Sequence, residues 1–202
     1  MRRLDLNKRL TFFLLAFLLL FTSRVFADGP TTLIKSAVDQ VIGVLKDPGL
    51  RGEAKKKERR SLLRQIILPD FDFTEMAKRS LGSHWGQHTP EEQGEFVRLF
   101  TDLLEKAYLG RIETYNNEKF VYTREKIEQN YAEVYSEVTT GKGEKFRIDY
   151  RLHRLGNDWK IYDVIVEDIS LVNNYRSQFN RIITGSSYEE LVSRMKQKLL
   201  EN

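Results

Sequence analysis

The sequence contains no cysteine among its 202 residues, and it has only four prolines. The lack of cysteine excludes disulfides, thiolate metal sites and a cysteine nucleophile, so the fold must depend on packing. The chain also has no Gly-x-Ser-x-Gly nucleophile elbow and no glycine-rich phosphate-binding loop. The usual sequence signatures of hydrolases and nucleotide-binding enzymes are therefore missing.

The chain also lacks an excess of positive charge outside its first residues. Residues 1–27 hold five of the 33 Lys and Arg residues and one of the 29 Asp and Glu residues, so the remainder carries 28 of each sign. A nucleic-acid-binding protein normally has a strongly basic surface. We therefore expect no nucleic-acid partner.

Residues 1–27 have the pattern of an export signal. Four basic residues precede a short apolar run, Leu10–Phe21, and Val25-Phe26-Ala27 resembles a small-residue cleavage site. The apolar run is shorter than the roughly 20 residues that span a bilayer. The sequence predicts a signal peptide, residues 1–27, and a single exported domain, residues 28–202, which fits a bacterial periplasm.

The clearest helix pattern runs from Thr89 to Tyr115. Thr89 can cap the helix, Pro90 suits its first position, and Glu92 can complete a capping box. Apolar side chains then recur every three or four residues, namely Phe96, Leu99, Phe100, Leu103, Leu104, Ala107, Tyr108, Ile112 and Tyr115. Such a stripe is normally core, so its surroundings must decide whether it also faces a ligand.

Other segments complete the predicted architecture. Further helices are predicted from Thr31 or Thr32 to Asp47, over 53–67, from Asp72 or Thr74 onward, over 171–183 and over 187–199. Period-two patterns predict strands at 119–123, 131–139, 146–152 and 159–167. Helices, then an antiparallel meander, then helices indicate an α+β fold whose helices cover one apolar sheet face.

The titratable residues give weak indications of chemistry. His84 and His88 are four apart, but Gly86 weakens the helix between them and no third ligand is evident, so no metal is expected. His153 is predicted to be a surface residue. Asp149 and Asp163 lie in strands, where a buried acid would suit a general base and a salt bridge is the alternative.

A highly charged segment opens the second predicted helix. Residues 53–60 read Glu-Ala-Lys-Lys-Lys-Glu-Arg-Arg, followed by an apolar half. This pattern is typical of a solvated helix face, and the alternative is a docking surface for an acidic partner.

Several motifs together resemble a known family. These are Ile67-Leu68-Pro69-Asp70-Phe71-Asp72-Phe73, Leu81-Gly82-x-x-Trp85, Thr89-Pro90-Glu91-Glu92-Gln93, the helix from Phe96 to Tyr115, and Tyr162-Asp163-Val164-Ile165-Val166-Glu167-Asp168-Ile169-Ser170-Leu171-Val172. Their order and spacing are similar to the MlaC family, also called the toluene-tolerance auxiliary family, which includes the hopanoid-associated HpnM branch. The resemblance runs from about Leu33 to Leu199. Where many relatives have glycine within residues 167–170, this chain has Asp168, which affects the expected turn geometry.

The resemblance implies a periplasmic phospholipid carrier without enzymatic activity or cofactor. Its antiparallel sheet and covering helices would enclose an apolar pocket for acyl chains. The implied partners are an outer-membrane lipoprotein complex and an inner-membrane ABC transporter complex with a periplasmic lipid-exchange ring, which together maintain outer-membrane lipid asymmetry.

The resemblance also assigns lipid-facing residues. Tyr108 and Ile169 are the foremost assignments by their position in the family motifs. The remaining lipid-facing residues are Phe71, Phe100, Leu104, Tyr150, Val166 and Val172.

Three alternatives to a phospholipid carrier remain at this point. A carrier of the same fold would bind a hopanoid or another apolar ligand, and an enzyme would use Asp149 or Asp163 as a base. An interaction domain would dock an acidic partner on the basic helix around Lys55–Arg64. The interior distinguishes them, since a carrier needs a long apolar cavity, an enzyme needs a buried acid, and a docking domain needs neither.

Overall fold

The computed structural model of the protein describes residues 29–201, and the predicted signal peptide lies outside them. The helices are α1 (Pro30–Lys46), α2 (Lys56–Ile67), α3 (Phe73–Leu81), α4 (Pro90–Ile112), α5 (Leu171–Gly185) and α6 (Tyr188–Leu200). The strands are β1 (Lys119–Glu128), β2 (Tyr131–Thr139), β3 (Lys145–Leu155), β4 (Asp158–Val166) and β5 (Ile169–Ser170). No helix in the described part of the chain is long and apolar enough to cross a membrane. The predicted α+β class is confirmed.

The predicted capping box fixes the start of the long helix α4. The Thr89 hydroxyl accepts a hydrogen bond from the Glu92 amide at 3.3 Å, and the Glu92 carboxylate accepts one from the Thr89 amide at 2.8 Å. The helix ends at Ile112, three residues earlier than the pattern predicted. The amides of Thr114 and Tyr115 bond to carbonyls three residues back, so the last turn tightens and the α-helix stops.

The predicted cap of helix α1 was wrong. The helix begins at Pro30, whose fixed φ suits a first helical position, and its N-cap residue is Gly29, which has no side chain to cap it. Thr31 instead donates from its amide and its hydroxyl to the Glu125 carboxylate of β1, at 2.8 and 2.6 Å. A carboxylate at a helix N-terminus is electrostatically favourable, so this contact holds the start of α1 on the sheet.

Helix α3 begins at one of the two predicted caps. The Asp72 side chain caps it by accepting a hydrogen bond from the Glu75 amide at 2.9 Å. The helix stops at Leu81 because Gly82 takes a positive φ of 58°, and a 3₁₀ segment continues to Gln87. Trp85 therefore lies in this 3₁₀ segment.

The five described strands form one antiparallel sheet in the order β1-β2-β3-β4-β5. Its inner face is set by the register, which pairs Val134 with Tyr150 and Tyr150 with Val164. Strand β1 extends to Glu128, five residues beyond the predicted end, because the whole of β2 pairs with it. The pairing register shifts between Tyr122 and Arg124 in the β1–β2 ladder and between Arg151 and Leu152 in the β3–β4 ladder, and such irregularities increase the local twist of a sheet.

Two separate clusters of buried side chains make the core. The sheet core consists of Ile34, Ala132, Val134, Tyr150, Leu152, Trp159 and Ile161. The helical core consists of Met76, Ala77, Leu81, Phe96, Phe100, Leu104, Val172, Phe179, Tyr188, Leu191, Val192 and Met195. The apolar stripe of α4 thus packs on helices rather than on the sheet, and Phe71 contacts both cores.

Candidate functional site

An apolar strip on the inner sheet face begins at Tyr150, in the sheet core, and continues beyond that core to the hairpin between β4 and β5. The register places Tyr150 opposite Val164, Ile148 opposite Val166, and Val166 opposite Ile169. Paired residues point to the same face of an antiparallel sheet, so these side chains are continuous across β3, β4 and β5. Burial decreases along the strip, from 9% exposure at Tyr150 to 43% at Val166 and 64% at Ile169.

The open end of this strip depends on a tight turn. Glu167 and Asp168 connect β4 to β5 with φ values of 48° and 65°, both in the left-handed region that two-residue hairpins require. Arg147 holds both residues, its backbone amide bonding the Glu167 carboxylate and its guanidinium bonding Asp168. Asp168 therefore adopts the conformation that glycine takes easily, and the turn brings Ile169 beside Val166.

A buried carboxylate connects this hairpin to helix α5. Asp163 is 3% exposed and accepts hydrogen bonds from the Ser170 hydroxyl at 2.6 Å and from the Val172 amide at 3.0 Å. Arg151 lies 3.4 Å from the same carboxylate. Ser170 also caps α5 by accepting from the Asn173 amide at 3.0 Å. The position of Ile169 is therefore fixed from both sides.

Two tyrosines of helices α4 and α5 pack against the helical core. Tyr108 on α4 is half-buried, and the Arg111 guanidinium lies 5.5 Å from the centre of its ring. Tyr175 on α5 packs edge-on against Phe100 at 5.1 Å. Burial, with a further contribution from Tyr108, raises the pKa of Tyr175 to about 12. The Tyr175 phenol therefore stays protonated and neutral at physiological pH, and it combines an apolar ring with one polar atom.

The other assigned residues occupy different positions. Phe100, Leu104 and Val172 lie inside the helical core, so they would meet a ligand only if that core opened. Phe71 is half-buried between the two cores and stacks on Phe73 at 5.6 Å. The structure thus groups Tyr150, Val166 and Ile169 along the strip and does not bring all eight assigned residues together.

Tyr122 is a candidate that sequence reasoning missed. It lies on the inner face of β1 and packs against the sheet core. Its buried hydroxyl has no hydrogen-bond partner among the described residues, and burial raises its pKa to about 12, with Asp39 adding to the shift. The alternation of Phe120 and Tyr122 was the signal that would have indicated an inward side chain.

The two acids that an enzyme would use are engaged in structural contacts. Asp149 and Asp163 alternate with inner-face residues, so both lie on the opposite face of the sheet. Asp149 accepts a hydrogen bond from the Ser136 amide at 3.1 Å. Asp163 therefore forms a salt bridge, with Arg151, as the alternative prediction stated. Neither acid faces the apolar strip.

The histidines also have structural partners. His84 lies 2.9 Å from the Asn180 side chain, while His88 stacks on Tyr188 with ring centres 3.7 Å apart. Within residues 29–201, no three His, Asp or Glu side chains are placed to hold a metal ion. The surface prediction for His153 was wrong, because it is half-buried with its Nε2 3.0 Å from an Asp72 carboxylate oxygen.

Two concave surface regions lie away from the apolar strip. One, of about 610 Å³, is lined by Glu128, Gln129 and Tyr131. The other, of about 700 Å³, lies along helix α2. Neither is lined by an assigned lipid-facing residue.

The chain is similar in sequence to two proteins of known name. The chain is 23% identical over 193 residues to the "Intermembrane phospholipid transport system binding protein MlaC" of Haemophilus influenzae, a match that covers 93% of this chain and 90% of that protein. It is 26% identical over 157 residues to the "Toluene tolerance protein ttg2D" of Pseudomonas putida, covering 77% of this chain and 73% of that protein.

A solved structure gives an independent comparison of the fold. The phospholipid-binding protein of Ralstonia solanacearum, determined in complex with a phospholipid, matches this structure with a TM-score of 0.75 and 29% identity. The match covers 83% of this chain and 95% of that one. The family model described as "MlaC protein" matches residues 35–197. The chain therefore belongs to the MlaC family, as the resemblance of its motifs predicted.

Proposed function

We propose that this protein binds a phospholipid by its acyl chains and carries it between membranes. The observation on which this depends is the apolar strip of the inner sheet face, whose end at Val166 and Ile169 stays exposed while two separate cores are filled. An ordinary globular domain buries its sheet and its longest apolar helix in one core. Here the helical core and the sheet core divide that task, which leaves apolar surface for a ligand.

The comparisons support a lipid as this ligand. A relative that shares the fold, at 29% identity, binds a phospholipid. Two further relatives are named for intermembrane phospholipid transport and for toluene tolerance. We infer that Tyr150, Val166 and Ile169 contact the acyl chains and that Tyr108 borders them from the helical side.

The physical chemistry of a carrier requires no catalytic group. Removing a chain of about 15 methylenes from water is worth on the order of 12 kcal/mol, and extracting the same chain from a bilayer costs a similar amount. The two contributions nearly cancel, so a lipid exchanges between membrane and carrier with little net free energy. Direction of transport must then come from the partners.

We further propose where the protein works. The export pattern of residues 1–27 supports a periplasmic location for a single domain of residues 28–202. Membership of the family suggests exchange with an inner-membrane ABC transporter complex and an outer-membrane lipoprotein complex. A hopanoid is the second candidate ligand, favoured only by the resemblance to the hopanoid-associated branch.

Native mass spectrometry of the protein as purified tests the ligand directly. We expect a mass increment that dissociates on activation and that lipid extraction identifies as phospholipid. An increment of a polycyclic triterpenoid would establish the hopanoid instead. A protein that contains no lipid, and that takes none from phosphatidylethanolamine vesicles, would contradict the proposal.

A further inference from the structure

A basic groove runs along helix α2 on a part of the surface that the lipid site does not use. It has a volume of about 700 Å³, and four basic residues from one side of the helix line it, namely Lys56, Lys57, Arg60 and Arg64. Glu105 from α4 is the one carboxylate in its wall, and Leu68 and Pro69 give it apolar surface. Positions separated by four residues share a helix face, so these cations point into one concavity.

Glu113, directly after helix α4, and Glu105, within it, hold the two arginines by their Nε atoms. Arg60 donates from Nε to Glu113 at 2.8 Å, and Arg64 contacts Glu105 through Nε at 3.2 Å. The side chains are still 41% and 48% exposed. A guanidinium fixed through Nε keeps its terminal nitrogens free for a second partner, and its planar geometry matches a carboxylate.

The acid that anchors Arg60 is itself charged. Burial alone would raise the pKa of Glu113, but hydrogen bonds from Arg60 and Arg59 hold it below its ordinary value. Arg59 reaches Glu113 at 2.6 Å and also donates to the Leu50 carbonyl at 2.8 Å. The first turns of α2 are therefore fixed in place before any partner binds.

The charge of this segment differs from that of the chain. Residues 55–64 contain six basic residues and one acid, whereas residues 28–202 carry 28 of each sign. A balanced chain that concentrates its positive charge in one groove has a surface complementary to a negatively charged partner. A concave groove with apolar walls also suits a chain segment better than it suits the flat surface of a bilayer.

We propose that the α2 groove docks an acidic segment of a partner protein. Arg60 and Arg64 would bind its carboxylates through their terminal nitrogens, with Lys56 and Lys57 completing the positive field, while Leu68 contacts its apolar side chains. The inference is independent of which ligand the interior holds.

A titration of the purified protein tests this docking surface. The probe is a synthetic peptide of repeated Leu-Glu-Asp-Glu units, and binding is followed by the chemical shifts of backbone amides. The test variant is Lys57→Glu/Arg64→Glu, and Lys56→Glu/Lys57→Glu is a second variant that leaves both arginine contacts intact. The control is Lys35→Glu/Lys142→Glu, which makes the same charge change at two exposed sites outside the groove.

We expect the largest shifts in residues 56–69 and an affinity that falls as salt is raised. Both groove variants should weaken binding by about tenfold, while the control changes it by less than about twofold. Absence of binding, shifts centred elsewhere, or equal weakening by the control would overturn the proposal. The proposal would also be overturned if phosphatidylglycerol vesicles bound through these same side chains and the peptide did not bind.

Lipid content measured on the same samples separates this proposal from the proposed function. The groove variants should retain as much phospholipid as the parent protein. A parent that binds the peptide but holds no lipid would contradict the carrier function and leave the docking surface standing. A parent protein that holds lipid but does not bind the peptide would contradict the docking surface and leave the carrier function standing.

Discussion

The carboxylate of Asp163 accepts a hydrogen bond from the backbone amide of Val172 at 3.0 Å, which joins strand β4 to the first turn of helix α5. A helix N-terminus has unpaired amides that a carboxylate satisfies well. The contact spans the β4–β5 hairpin, whose tip carries Val166 and Ile169. The geometry of the apolar strip therefore depends on an acid that lies on the opposite face of the sheet.

Replacing Asp163 by Ala should lower the free energy of unfolding by about 2–4 kcal/mol, because it leaves buried donors without an acceptor. Urea denaturation measures the change. The control is Glu133→Ala, which removes the other carboxylate near Arg151 but at a half-exposed site, and should cost no more than about 1 kcal/mol. Equal losses for the two variants would show that Asp163 has no special structural role.

The left-handed turn gives a second prediction. Asp168 has a φ of 65°, so Asp168→Gly should be more stable than Asp168→Ala by about 1 kcal/mol, because alanine retains the Cβ that this conformation disfavours. Both variants lose the contact with Arg147, so their difference reports backbone strain alone. Thermal denaturation of the pair provides the measurement, and identical melting temperatures would refute the assignment.

The pH dependence of stability should reflect Glu113. Because its folded-state pKa lies below the ordinary value of 4.5, its stabilisation is fully present above that value and is lost as pH falls through the lowered pKa. Glu113→Gln should therefore destabilise the protein by about 1–3 kcal/mol at neutral pH and by less in strong acid. Urea denaturation at a series of pH values measures this. A Gln variant whose deficit stays constant with pH would contradict the ion pair.

Ile169 tests the lipid site itself. Ile169→Glu should abolish phospholipid retention with little loss of stability, because the side chain is 64% exposed in the structure and a charge is costly beside an acyl chain. Val121→Glu is the matched control, since Val121 is 53% exposed on β1 and paired with Glu137, away from the strip. Mass spectrometry of both purified variants gives the lipid content. Normal phospholipid in the Ile169 variant would remove Ile169 from the site.

Local sequence signals predicted the elements well where one residue decides the geometry. Thr89, Pro90 and Glu92 specify a helix start through hydrogen bonds within four residues, and the structure has those bonds. The alternation on β3 likewise identified which side chains face inward. Such features depend on short-range sterics and hydrogen bonding, which the chain carries wherever it packs.

Long-range partners account for the failures. Thr31 could not be known to bind Glu125, 94 residues away, and His153 could not be known to meet Asp72. Neighbouring residues predicted that Thr31 would cap a helix and that His153 would lie on the surface. In the structure each side chain instead contacts a carboxylate that is distant in sequence. The motif resemblance identified the family correctly, but it could not separate the side chains of the helical core from those of the open strip.

The sequence alone determined the helices, the meander and the family, because periodicity, capping residues and motif order are properties of neighbouring positions. Only the tertiary structure decided that Phe96, Phe100 and Leu104 pack against helices and not against the sheet. The same stripe on α4 would have suited either surface, since apolar burial has no direction of its own. The packing of α3, α5 and α6 took up that stripe, and this left Val166 and Ile169 uncovered.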